Sequence, residues 1–200
     1  MKTSAGRPRK QAIDDALRGA FGELFAEGGA TGITMQDLIG RAGTSRDAFY
    51  RRFHSVGHFL VHLMTSRYAV DPTEDTGTLR GDLLVILRDQ VAMYTDGVSR
   101  ALLPLLLDAC ARDEVVAGLL RDRFLHPQRE STTRVIERAV ARGEIRPVGD
   151  LSYVLDLVYG PLLLRAALPG DATIDDDLAE LIAGTVLREL GAGDEGERGS

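Results

Sequence analysis

Tryptophan is absent from this 200-residue chain, cysteine occurs once, and aromatic residues make up only 6% of it. A lone cysteine, Cys110, excludes an internal disulfide and agrees with a reducing compartment. No apolar run reaches the ~20 residues that a membrane-spanning helix needs. The opening MKTSAGRPRK also lacks the apolar segment of a secretory signal. The product is therefore expected in the cytoplasm, with no membrane partner. Also missing are an HExxH zinc motif, a GxSxG nucleophile elbow, a phosphate-binding P-loop and a GxGxxG following a strand. An enzyme has no motif to rest on here, and no cofactor or metal is called for.

What is present is 44% hydrophobic residues, enough for a helical core in one or two domains. A net charge of −6 argues at first against nucleic acid, because affinity for phosphates rests on Lys and Arg. The distribution answers this. Residues 1–55 carry 9 basic and 6 acidic side chains, whereas residues 56–200 carry 15 and 24. The cationic end also holds the most informative stretch, TMQDLIGRAGTSRDAFYRRF from Thr34 to Phe53.

Thr34 followed by Asp37 is a capping-box-like pair that starts a helix near Met35, with Leu38, Ile39 and Ala42 along its apolar edge. Gly43 supplies a side-chain-free position for a sharp turn. Thr44 or Ser45 then caps a second short helix, in which Phe49 and Phe53 at i, i+4 are buried. Ser45, Arg46, Asp47, Tyr50, Arg51 and Arg52 remain outside. Two short helices about a glycine turn, the second with a polar and cationic free face, form the helix-turn-helix plan whose second helix enters a DNA major groove. The bland alternative for that face is an ion-pair surface such as Asp47 with Arg51, worth about 0.3–0.5 kcal/mol.

The remaining pattern predicts an all-α chain of about nine helices in four segments. Residues 1–10 form a flexible basic arm with Arg9 near its end, which either lies along DNA or is a solvated tail; residues 11–55 form a helix-turn-helix DNA-binding domain. Residues 56–190 form a larger helical ligand-binding and dimerisation domain, and residues 191–200 a disordered tail. Ile13, Leu17, Phe21 and Leu24 mark an amphipathic first helix, and Ser55 caps a fourth helix that ends near Tyr68. A fifth helix is expected from Thr78 to Asp96. A sixth is capped by Ser99 and apolar nearly all round, hence buried; a seventh runs from Asp113 to Arg142 and is interrupted at Pro127.

The eighth helix presents Leu151, Val154, Leu155, Val158, Tyr159, Leu162 and Leu163 on one side and Tyr153, Leu157, Gly160 and Leu164 on the other. A terminal helix has little chain left to cover two such faces. Together with Leu178, Leu181, Ile182, Thr185 and Val186 of the ninth helix, it predicts a homodimer through a four-helix interface. Leu151, Leu155, Val158 and Leu162 are the expected contacts on the eighth. A two-fold dimer would place two reading helices on half-sites of a palindrome about 34–36 Å apart.

Gly32 through Met64, with the GRPRK arm and the first helix, resembles the DNA-binding domain of TetR-type (tetracycline-repressor-like, AcrR-like) bacterial regulators. From Ala141 onward, ARGEIRPVGDLSYVLDLVYGPLLLRAAL is similar to one TetR-like ligand-domain subgroup. The resemblance implies that Thr34, with Met35 beside it, and Tyr50 touch the DNA backbone. It also implies that Thr44, Ser45, Arg46, Asp47 and Arg51 face bases or flanking phosphates, and that Arg52 and the Ser55 region are further phosphate contacts. Thr44 stands where many members have valine, and Val56 where they have a lysine. Arg52, His54, His58 or backbone N–H groups after Ser55 would then have to supply the lost contact.

A repressor released from its operator by a small apolar or amphipathic effector follows from the same resemblance. Met64, Tyr68, Met93, Tyr94, Leu106, Leu107, Cys110, Phe124 and Tyr159 are the candidate pocket residues; each is otherwise plain core. Two variants stay open: a metal-responsive regulator using His58 and His62, which with His54 follow one another at i+4 steps, and a redox-responsive one using Cys110.

Overall fold

A computed structural model describes residues 6–29, 33–68, 74–168, 170 and 173–192, the first five of these by backbone only. Every regular element among them is helical: α1 (Gly6–Gly28), α2 (Met35–Arg41), α3 (Arg46–Arg52), α4 (Val56–Arg67), α5 (Leu79–Thr95), α6 (Gly97–Arg112), α7 (Glu114–Leu120), a π-helical turn (Arg121–Leu125), α8 (His126–Ala141), α9 (Ser152–Ala167) and α10 (Asp176–Glu189). Helical residues run without a break from Glu114 to Ala141, so the elements make up the nine rods expected from the periodicity.

Several boundaries differ from expectation for identifiable reasons. The basic arm was expected to be unstructured through residue 10, but α1 begins at Gly6. Pro8 falls in the first turn, where a backbone N–H has no partner to lose. The interruption expected at Pro127 lies just before it: residues 121–125 widen into a π turn, and Pro127 sits at the start of α8. The cap of α6 is Asp96 rather than Ser99, whose backbone N–H donates to Asp96 Oδ2 at 3.0 Å. Most of the expected 191–200 tail lies outside the described residues.

The chain divides into two compact units, Met1–Arg67 with Ala101–Leu120, and Tyr68–Arg100 with Arg121–Ser200. The sequence division after Ser55 followed composition; packing groups α4, most of α6 and α7 with the N-terminal helices. In the first unit α1 packs on α2 and α4 on α7. Phe49, Phe53 and Phe59 form an aromatic trio, with centroids 5.2–5.8 Å apart, that fastens α3 to α4. In the second unit α5 is the enclosed helix, flanked by α8, α9 and α10 and buried along Leu79, Leu83, Leu87 and Tyr94. That role was expected of α6, but of its apolar side chains α6 buries only Leu102, Leu103 and Leu106 and leaves Leu107 45% exposed. Its stripe is thus one-sided.

The faces of α9 and α10 also need correction. Leu155, Val158, Leu162, Leu178, Ile182 and Val186 are buried within their own unit, and Leu151 and Thr185 are half-buried. Of the residues assigned to a dimer contact only Leu181 is well exposed, at 61%. The free apolar face of α9 is the other one, with Tyr153 at 60% and Leu164 at 59%. Periodicity alone leads one to expect the denser apolar row at the partner. It is instead the row that closes this chain's own core.

Candidate nucleic-acid interface

The reading unit is built by caps and one glycine. Thr34 Oγ1 accepts from Asp37 N at 3.1 Å and thereby starts α2. At the other end of α2, Gly43 N donates to Gly40 O and Thr44 N to Ile39 O, both at 3.2 Å, with Gly43 at φ +60°. This is a Schellman closure, and its left-handed position is one that glycine enters without strain. Ser45 Oγ then accepts from Ala48 N at 3.1 Å and begins α3, and Ser55 Oγ accepts from His58 N at 3.1 Å and begins α4. Phe49 and Phe53 are buried, so the opposite side of α3 must face outward. It carries Arg46, Asp47, Tyr50 and Arg51, all exposed. Thr34 is exposed as well, while Met35, Thr44 and Ser55 are half-buried at the borders. The side chain of Arg9 lies outside the described residues.

The four arginines between residues 41 and 52 have two different jobs. Arg41 grips Glu27 through both terminal nitrogens at 2.7 and 2.9 Å and reaches Glu23 at 3.2 Å, tying α2 to α1. Arg52 makes a two-point fork on Asp14, Nε to Oδ1 at 2.9 Å and Nη2 to Oδ2 at 2.7 Å. Asp14 is only 6% exposed and also lies 3.4 Å from His62 Nε2 of α4. The fork therefore links α1, α3 and α4 around one buried carboxylate. Arg52, expected to meet phosphate, is engaged inside the protein. Arg46 and Arg51 form no ion pair among the described residues, and neither does Asp47, so the ion-pair surface considered for this face is absent. Hydrogen-bonding and cationic groups stand free where a groove would meet them.

Asp14 was missed from the sequence. Its signal is positional: it precedes Leu17 and Phe21 by three and seven residues, an acid within α1's inward stripe, and such an acid needs a buried partner.

The histidines at i+4 steps do not converge on one point. His54 and His58 stack with centroids 5.5 Å apart, and His62 turns toward Asp14. No group of three or more His, Cys, Asp or Glu side chains able to hold a metal occurs among the described residues. Cys110 is half-buried. Burial pushes its thiol up, and the Asp113 and Glu114 carboxylates add to the shift, which suppresses the thiolate that oxidant sensing requires.

The expected effector residues are split between the units. Met64, Leu106, Leu107 and Cys110 belong to the first; Tyr68, Met93, Tyr94, Phe124 and Tyr159 to the second. Leu107 faces outward, and the Tyr68 hydroxyl donates to Asp96 at 3.0 Å. In the second unit, the Tyr159 hydroxyl lies 2.6 Å from Thr132 Oγ1 and donates to Gln128 O at 2.8 Å. Burial, with a contribution from Tyr159, pushes the Tyr94 phenol up to about 12, so it stays a neutral donor. Gln90, one turn before Tyr94 on α5, is buried with its Oε1 accepting no hydrogen bond among the described residues. A glutamine in an amphipathic stripe gave no sequence signal for this.

The profile described as "Bacterial regulatory proteins, tetR family" matches residues 20–56, and that described as "Tetracyclin repressor-like, C-terminal domain" matches residues 73–186. The HTH-type transcriptional regulator YdeS of Bacillus subtilis (strain 168) is 27% identical over 184 residues, which is 91% of this chain and 92% of YdeS. Among solved structures, the TetR family transcription regulator SCO0332 superposes with a TM-score of 0.65 at 24% identity, covering 90% of this chain and 97% of that one. FadR from Bacillus subtilis, in complex with stearoyl-CoA, gives a TM-score of 0.60 at 16% identity, covering 92% and 98%. No helix among the described residues is long and apolar enough to cross a membrane.

Proposed function

Because the chain belongs to the TetR family and is a helix-turn-helix transcriptional regulator, we propose that it works as a homodimeric repressor on a palindromic operator, released by a small, largely apolar effector. The observation that carries the DNA assignment is the outer face of α3, where Arg46, Asp47, Tyr50 and Arg51 stand exposed while Arg41 and Arg52 are engaged in ion pairs with Glu27 and Asp14. Arg46, at the first position of α3, pairs with a guanine edge. Tyr50 and Arg51, with Thr34 and Ser45 at the helix starts, hold flanking phosphates.

Dimerisation uses the outward row of α9, exposed at Tyr153, Gly160 and Leu164 and half-buried at Leu157, together with Leu181 and the half-buried Thr185 of α10. One short recognition helix reads few base pairs, and a two-fold partner supplies the second half-site. The effector site lies in the second unit around Tyr94 and Tyr159. Support comes from the unpaired buried carbonyl of Gln90, whose desolvation a ligand N–H or O–H would offset. The stearoyl chain of the stearoyl-CoA held by FadR has the apolar character such a site would accept. An effector acts only through its different affinities for the operator-bound and free arrangements.

Selection of bound duplexes from a random pool tests the proposal. A recovered inverted repeat with half-sites one helical turn apart, lost on Arg46→Ala plus Arg51→Ala, is expected. Enrichment of no sequence, or of a single asymmetric half-site, overturns the dimeric operator.

A further inference from the structure

The first unit contains a cleft of about 270 Å³ that, apart from Thr34, the proposed function does not use. One wall is α6, with Leu105, Asp108, Ala109 and Arg112 at i, i+3, i+4 and i+7; the facing walls are the starts of α2 and α4, including Thr34, Val56 and Gly57. The volume sits just below the usual 300–1,000 Å³ range of small-molecule pockets. The cleft is held open beside a tight contact: a Cβ added to Gly57 would come within 2.8 Å of Val116 Cγ2 and 3.1 Å of the Ala109 Cβ. Alpha-4 can approach α6 and α7 no more closely there, so the gap next to Gly57 is not removed by settling of the helices. Val56 lines its mouth and is 41% exposed. This is the position at which the resemblance leads one to expect a lysine. An apolar side chain there makes a greasy entrance where a cation would have made a wet one.

We infer that this cleft is a binding site for an uncharged amphipathic small molecule, with an apolar body of one or two rings or a medium-length chain and a single hydroxyl or amide head. The body matches the mainly apolar lining. Head-group chemistry follows from the rim, where Arg112 Nε donates to both carboxylate oxygens of Asp108, at 2.9 and 3.0 Å. Their charges cancel, so a free anion or cation gains one partner and is opposed by the other. A neutral group that both donates and accepts satisfies both. The cleft is formed wholly by the first unit, so it is separate from the effector site proposed around Tyr94 and Gln90.

Backbone amide NMR titration of the full-length protein with 2-naphthol, n-octanol and octanoate tests the inference. Saturable shifts confined to residues 33–38, 56–60 and 105–112 are expected for the two neutral probes. Octanoate should bind about tenfold more weakly, the scale of one unmatched charged hydrogen bond. Val56→Trp, which plugs the mouth from a partly exposed position, should abolish saturation, and Leu105→Trp is the second plug if the first melts below the titration temperature. Gln90→Leu should leave the shifts unchanged, separating this site from the one in the second unit. Absence of saturation with both neutral probes overturns the inference. So do shifts confined to the second unit, or binding that survives a folded plug variant.

Discussion

The division of labour between Arg51 and Arg52 can be measured as a salt dependence. Each phosphate contact adds about 0.9 to the slope of log K against log salt on duplex DNA. Replacing Arg51 by alanine removes one contact per subunit, so a dimer loses about 1.8 from its slope. Between 50 and 200 mM salt the wild type should then lose about tenfold more affinity than Arg51→Ala does. Arg52→Ala should leave the slope unchanged, because its guanidinium is forked on Asp14 at 2.7 and 2.9 Å. Its cost appears in stability instead. Removing one partner of a fully buried pair costs about 3–5 kcal/mol, and with Arg52 one-third exposed about 1–3 kcal/mol is the reasonable scale. For a chain of this length that lowers Tm by about 2–4 °C per kcal/mol. Asp14→Asn separates the two roles further: it releases Arg52 toward solvent, and the slope should rise. Fluorescence anisotropy across a salt series, with thermal melts of the same samples, reads every arm. A slope that falls with Arg52→Ala while Tm holds would refute the fork as the reason Arg52 is withheld from DNA.

Arg46→Ala should relax base preference at one position per half-site by about 1–3 kcal/mol, seen as a flattened position in a binding-site selection rather than as uniform weakening. Leu164→Glu should give a folded monomer in sedimentation equilibrium, because that side chain is 59% exposed; Leu155→Glu, at a 7% exposed position, should unfold the chain instead. The Asp82 carboxylate is pushed up by burial and pulled down by more, through the Thr76 N–H and hydroxyl and Arg138, leaving it below the usual carboxylate range. A depressed folded pKa contributes stability that is complete above the unfolded value near 4 and is lost as pH falls through the lower folded value. The stability gap between wild type and Asp82→Asn in urea melts should therefore be constant from neutral pH to about 4 and shrink below it.

Local chemistry was the legible part of the sequence. Caps at Thr34, Ser45 and Ser55, the turn at Gly43 and the inward pair Phe49 and Phe53 all follow from rules that span four residues. Long-range pairing was not legible. Nothing near Arg52 distinguishes it from Arg51, and what decides their roles is Asp14, 38 positions earlier. The faces of α9 went wrong for a related reason. Periodicity reveals that two rows are apolar but not which one meets α5 and α10, and the denser row proved to be the internal one. Composition placed the domain boundary at the end of the cationic segment, whereas packing recruits residues 101–120, a stretch with no compositional kinship to α1–α3.

Helix α4 is where these two levels meet. On one side Phe59 closes the aromatic trio with Phe49 and Phe53 of α3, and on another Gly57 lies against Val116 and Ala109. If those contacts are rigid, a displacement of α6 or α7 would reach the reading helix through this turn. Gly57→Ala tests that rigidity, because two effects oppose each other. Helical propensity favours alanine by about 0.5–1 kcal/mol, and less in a first turn. Against it, the new Cβ would stand 2.8 Å from Val116 Cγ2, and Val116 is only 2% exposed, with little room to yield. Overpacking of this kind costs about 1–3 kcal/mol, so the variant should be less stable in spite of its propensity, and Gly57→Ala with Val116→Ala should recover part of the loss. If alanine alone raised Tm, the contact at Gly57 would be slack, and α4 would have no means of passing a shift in α6 or α7 on to Arg46 and Arg51.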